Sequence, residues 1–115
     1  MILRNPLKMK IYIYPGYTDM RKVWSLYDLI KGTLNEDPMS RTLFLFSGRS
    51  RKHIKIFYWD GNGFCIWQKK LESGRFGWPH TAEKGRTITH RELRWILSGV
   101  DFKNKHEEIN FLQDK

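Results

Sequence analysis

The stretch HIKIFYWDGNGFCIWQKKL, residues 53–71, reads as two strands joined by a tight turn. From His53 to Trp59, Ile54, Ile56 and Tyr58 alternate with Lys55, Phe57 and Trp59, the period of two of a strand with two distinct faces. Asp60-Gly61-Asn62-Gly63 follows, and Asp-Gly and Asn-Gly tolerate the positive φ angles of hairpin turns. Phe64 to Leu71 then returns as a second arm. A turn centred on Gly61-Asn62 is expected to bring Lys55 and Lys69 near one another on the facing strands.

The neighbouring segments extend this unit. Ser47-Gly48-Arg49-Ser50-Arg51-Lys52 is a basic turn, and Leu43-Phe44-Leu45-Phe46 before it is apolar on both faces, as a central strand is. Lys10 to Tyr14 is β-branched and aromatic, and Pro15-Gly16 stops it. Between these strands Met20, Val23, Tyr27, Ile30 and Leu34 recur at spacings of three and four, which predicts an amphipathic helix. Thr18 or Asp19 caps its start. Asn35-Glu36-Asp37-Pro38 ends it, because a residue before proline avoids helical dihedrals.

Beyond the hairpin, Glu72 to Arg86 contains Gly74, Gly77, Pro79 and Gly85 and reads as irregular or as holding one short edge strand. A second helix follows, with Thr89 as N-cap, Glu92 completing a capping box, and Ile88 and Leu93 as its hydrophobic staple. Leu93, Ile96, Leu97 and Val100 form its apolar face, and Gly99 closes it. The order β-α-β-β-β-α predicts an α+β domain over residues 1–102: an antiparallel meander of about four strands packed with two helices. Residues 103–115 form a charged tail.

Charge narrows the function. The chain carries 21 Lys and Arg against 12 acids, a net of +9. Residues 1–94 alone hold 18 of the basic residues and 8 acids, so the excess lies in the body of the domain. Such a field draws in polyanions. Between residues 41 and 75 the density is highest, with Arg41, Arg49, Arg51, Lys52, Lys55, Lys69, Lys70 and Arg75 against Asp60 and Glu72. Phe57, Trp59 and Trp67 share this stretch. Rings beside cations suit a nucleic acid, although core positions are the favoured reading for the three aromatics. The turn at 49–52 is expected to contact phosphate, since so dense a charged tip adds nothing to packing. No apolar run is long enough to span a membrane, Met1 to Pro6 is not expected to act as a secretory signal because Pro6 interrupts it so soon, and the single Cys65 excludes an intrachain disulfide; the expected setting is the cytoplasm.

Signs of catalysis are weak. Asp60-Gly61-Asn62-Gly63 resembles the centre of a calcium loop, but Tyr58 and Lys69 then fall at positions that require carboxylates. His53, His80, His90 and His106 are scattered, without metal-binding spacing. The acids Asp19, Asp28, Asp37, Asp60, Glu72 and Glu92 are mostly accounted for as turns and caps. Neither metal nor cofactor is expected.

Thr18-Asp19-Met20-Arg21-Lys22, Asp37-Pro38-Met39-Ser40, the strand–basic turn–strand unit ending in Tyr58-Trp59-Asp60-Gly61-Asn62-Gly63-Phe64, then Lys70-Leu71-Glu72 with Gly74-Arg75-Phe76, and Trp78-Pro79 occur in order. Over roughly residues 10–100 this series resembles the TnpB accessory proteins of insertion-sequence-66 elements. Lys70 stands where that family usually has arginine, and Cys65 replaces a larger residue. The resemblance implies participation in transposition beside a separate, larger catalytic transposase. It marks Asp19, Arg21, Trp59, Asp60, Gly61, Gly63, Trp78 and Pro79 as motif positions. Together with the charge it implies a non-catalytic module that binds DNA through Arg49, Arg51, Lys52, Lys55, Lys69, Lys70 and Arg75, or binds the transposase, and carries with it the nucleoid. The rival reading is a small nuclease, with Asp19 and Arg21 near Trp59 and Asp60.

Overall fold

The computed structural model describes residues 9–18, 23–78 and 85–99. Five strands, β1 (Lys10–Ile13), β2 (Thr42–Ser47), β3 (His53–Trp59), β4 (Phe64–Lys70) and β5 (Arg86–Ile88), form one sheet in the order β4-β3-β2-β1-β5. The expected α+β class is observed, with two refinements. The antiparallel meander is three strands, β2-β3-β4, and β1 joins it parallel to β2 through the helical crossover. The short edge strand expected between Glu72 and Arg86 begins at Arg86 and pairs antiparallel with β1, Ile11 opposite Ile88.

β2 is central, as its sequence implies, and all six of its residues are buried. Its alternate side chains feed two cores. Leu43 and Leu45 join Ile11, Ile13, Ile54, Ile56, Tyr58 and Phe76 under helix α2 (His90–Ser98), which adds Leu93 and Ile96. Phe44 and Phe46 join Phe57 on the opposite face, covered by Leu26 and Ile30 of helix α1 (Val23–Asp28) and the turn that continues it. Leu26, fully buried, belongs to the apolar stripe although the expected set of positions omitted it; the side chains of Met20 and Val23 lie outside those described. From Leu29 to Thr33 the helix widens to a π turn, sealed by the Leu34 amide donating to the Leu29 carbonyl at 2.8 Å.

Helix α2 starts as predicted. The Thr89 hydroxyl accepts from the Glu92 amide at 3.1 Å, and the Glu92 carboxylate accepts from the Thr89 amide at 3.0 Å. Thr89→Ala is expected to cost about 1 kcal/mol, read by thermal melting. The Thr89 amide, and then Arg86, hold the Glu92 carboxyl below the ordinary glutamate value. A carboxylate whose folded value is depressed stabilises the fold above its unfolded value, about 4.3, and loses that contribution as pH falls through the folded value. Acid titration of stability should therefore be shallower for Glu92→Gln below that pH than for the wild type. At the other end Gly99, at φ 82°, closes the helix. Val100 lies outside the described residues.

Candidate functional site

The β3–β4 hairpin is built as its sequence indicates. The Asp60 amide donates to the Gly63 carbonyl at 2.8 Å, and Trp59 pairs with Phe64. Only Gly61 of the turn takes a positive φ, 83°, so the Asp-Gly half of the signal makes the bend. Phe57 is core, as favoured, while Trp59 and Trp67 are half-buried. Trp59 meets Phe64 edge to face, centroids 4.9 Å apart, and Trp67 packs under α2.

The register separates the two lysines expected to be neighbours. Lys55 lies opposite Gln68 and Lys69 opposite Ile54, so the two project from opposite faces. One residue of register decides this: the turn does centre between Gly61 and Asn62, and Lys55 and Lys69 are not symmetric about it. Lys69 reaches back to α2 and donates to the Leu97 carbonyl at 2.8 Å, satisfying one of that helix's terminal acceptors.

The remaining cations converge. Strand β3 begins at His53, opposite Lys70 of β4, so the basic turn 48–52 and the end of β4 share one pole of the sheet. The chain after β4 folds back over that turn: the Leu71 amide donates to the Lys52 carbonyl at 2.9 Å, and the Phe76 amide to the Arg51 carbonyl at 2.7 Å. Phe76 is fully buried and anchors the return. Arg75 is thereby brought beside the turn from 24 residues further along the chain, a proximity that no local pattern encodes. Arg49, Lys52, Lys70 and Arg75 are exposed and Arg51 is half-buried. Among the described residues none of the five has a carboxylate partner. The turn itself is held by backbone bonds, Arg51 N–H to the Gly48 carbonyl at 3.0 Å among them, and Arg51 sits at φ 59°.

The other motif positions divide between the two poles. Thr18 donates its amide to the Ser47 carbonyl at 3.0 Å, at the basic pole. Asp19, Arg21 and Pro79 lie outside the described residues, and with them the capping role of Asp19 and the nearness of Asp19 and Arg21 to Trp59 and Asp60 that the nuclease reading requires. Trp78 ties its segment to β1 by donating from Nε1 to the Tyr14 carbonyl at 2.9 Å. Trp78→Phe should cost about 1 kcal/mol through that lost bond, measured by denaturant unfolding. Trp59, Asp60, Gly61 and Gly63 stand at the far pole. From Ile54, which pairs with Ser47, to Trp59 is five strand residues, about 17 Å.

A cavity of about 350 Å³ opens at that far pole, lined by Met9, Met39, Arg41 and the hairpin residues Tyr58 to Gly61. No local sequence pattern marks it, because its walls come from three separate stretches, at Met9, Met39 with Arg41, and Tyr58 to Gly61. An Asp37 turn shapes one wall: the Asp37 carboxylate accepts from the Met39 amide at 2.9 Å and leaves Met39 52% exposed. Burial, then Cys65 and Asp60, push the Tyr58 hydroxyl up, which keeps it protonated. Among the described residues, no three His, Cys, Asp or Glu gather closely enough to hold a metal ion, and no helix is long and apolar enough to cross a membrane.

An α+β domain with a cationic pole and a motif-lined cavity is what the geometry defines. The model of a known family, the IS66 Orf2-like proteins, matches residues 9–107. The chain is 35% identical to the uncharacterized protein y4hO of Sinorhizobium fredii over 107 residues, 92% of this chain and 93% of that one. It is 29% identical to y4jC of the same organism over 95 residues, 82% of this chain and 81% of that one. No solved structure matches it. The chain belongs to the IS66 Orf2-like family, and that membership supports an accessory role in the transposition of such elements.

Proposed function

We propose that the chain serves transposition as a non-catalytic DNA-binding module in the bacterial cytoplasm, acting beside the element's transposase. The observation that carries this reading is the basic pole, where Arg49, Arg51, Lys52, Lys70 and Arg75 gather from three segments without carboxylate partners among the described residues. Cations that are not neutralised within the protein are free to displace counterions from phosphate. A sheet end stapled by backbone bonds holds them in a fixed array, so little side-chain-independent ordering is needed on binding. Lys55, two residues inward along β3 on the same face as Lys70, adds its charge to this end of the sheet. Lys69 is engaged with the Leu97 carbonyl and contributes through its charge alone.

Phosphate contact carries no base information, so binding should be weakly selective. Electrophoretic shifts with element-end and unrelated duplexes test this. Both duplexes should shift at low salt, and both shifts should fade by moderate salt. Absence of any shift at low salt would count against DNA and direct the basic pole to an acidic surface of the transposase.

A further inference from the structure

The cavity at the hairpin pole has no part in phosphate binding at the basic pole, and its lining is unlike a packing defect. Arg41 is exposed and has neither an ion pair nor a hydrogen bond from its side chain among the described residues. Asp60, also exposed, and the buried Tyr58 line the same opening. The same lining includes two thioethers, the buried Met9 and the exposed Met39, the latter in the turn whose amide the Asp37 carboxylate holds. The opening thus combines a cation, a carboxylate acceptor and polarisable apolar walls in about 350 Å³, near the lower end of ligand sites.

These features match few ligands. An acidic peptide would suit Arg41 but meet Asp60 as a like charge, and an apolar side chain would leave both ions unpaired. A nucleotide presents flat apolar faces, amino and ring donors at its edge, and an anionic phosphate on its flank. Carboxylates accept from the amino group of cytosine in this manner elsewhere. In a duplex that edge is paired and stacked, so only an unpaired base can enter a cavity of this kind.

We infer that the cavity is a subsite for an unpaired nucleobase bearing an exocyclic amino group, with Asp60 accepting from that amino group and Arg41 on the adjoining phosphate. This rests on the DNA-binding reading and deepens it. Strand β3 sets the two sites apart by six residues, from His53 to Trp59, about 20 Å, or roughly six nucleotide steps. Duplex held at the basic pole would therefore deliver an end or a frayed junction to the hairpin pole. The contribution of one seated base should raise affinity about tenfold.

Fluorescence anisotropy with the full-length chain tests this using three labelled probes: a blunt duplex, the same duplex with a short cytosine overhang, and the same duplex with a thymine overhang. The wild type should bind the cytosine overhang about tenfold tighter than the blunt duplex, and the thymine overhang less tightly than the cytosine one. Met39→Trp, which fills the cavity, and Asp60→Asn, which removes the acceptor charge, should each erase that advantage while leaving blunt-duplex affinity and melting temperature as in the wild type. Equal binding of blunt and overhang probes by the wild type overturns the subsite and leaves the DNA reading standing. No binding of any probe overturns both. Retention of the overhang advantage in both variants, with loss of transposase co-purification instead, assigns the cavity to a protein partner and overturns the nucleobase. A variant that melts early is replaced by Met39→Phe, for which the same loss of preference is expected.

Discussion

Neutralising the basic turn should lower DNA affinity about a hundredfold while the fold stays intact. The expectation follows from where the turn's structure resides. Its bonds run through the backbone, from Arg51 to Gly48, from Leu71 to Lys52 and from Phe76 to Arg51, and the arginine and lysine side chains take no part in them. Three phosphate contacts at roughly 1 kcal/mol each amount to about two decades at low salt. Arg51 needs particular care because its φ of 59° is unfavourable for most residues. Asparagine tolerates that region, so the informative variant is Arg49→Ser with Arg51→Asn and Lys52→Ser. Its melting temperature should match the wild type, since exposed substitutions shift stability by about 0.5 kcal/mol or less. Transposition in cells should fall with DNA binding. Replacing Lys103 and Lys105 by serine in the charged tail should leave binding and transposition unchanged. Wild-type binding by the turn variant would reduce the turn to solvation and shift attention to Lys55 and Arg75.

The largest effect on stability is expected at Phe57. It is fully buried on β3, opposite Phe44 and Ile66, with its ring 5.0 Å from that of Phe64. Leu26 and Ile30 close over the same cluster. Among the described residues the short α1 and its π turn cover this face, so the layer has little with which to refill a hole. Phe57→Ala should cost about 3–5 kcal/mol, a large share of the 5–15 kcal/mol typical of a domain. For a chain of this size the melting temperature should fall by roughly 15–30 °C. Phe57→Leu should cost less than half as much. A small shift for Phe57→Ala would mean that the α1 face is loosely packed and that the second core contributes little.

Local signals were legible where local chemistry decides the structure. The Asp60–Gly63 turn, the Thr89–Glu92 capping box and the wholly buried β2, with its apolar Leu43–Phe46, each depend on residues close in sequence or on burial from both sides. Pairings between distant segments were not legible. β1 has the composition of any strand, and nothing in Lys10–Ile13 says that it joins β2 in parallel. The lysine pair shows how sharply register matters, because a shift of one position puts Lys69 under α2 and leaves Lys55 on the far face. The candidate site follows the same division. The basic turn was visible as a charge cluster, whereas its union with Lys70 and Arg75 depends on the fold-back anchored by Phe76. The cavity was hidden because Met39 and Arg41 meet Tyr58 to Gly61 only across the end of the sheet.

The most direct test of the basic pole as a phosphate-binding array is the slope of log affinity against log salt for a blunt duplex, measured for the wild type and the triple turn variant. Five cations engaging five phosphates predict a wild-type slope of about −4.5, and removing three should bring it to about −1.8. A slope near zero in the wild type, or the same slope in both proteins, would contradict the assignment.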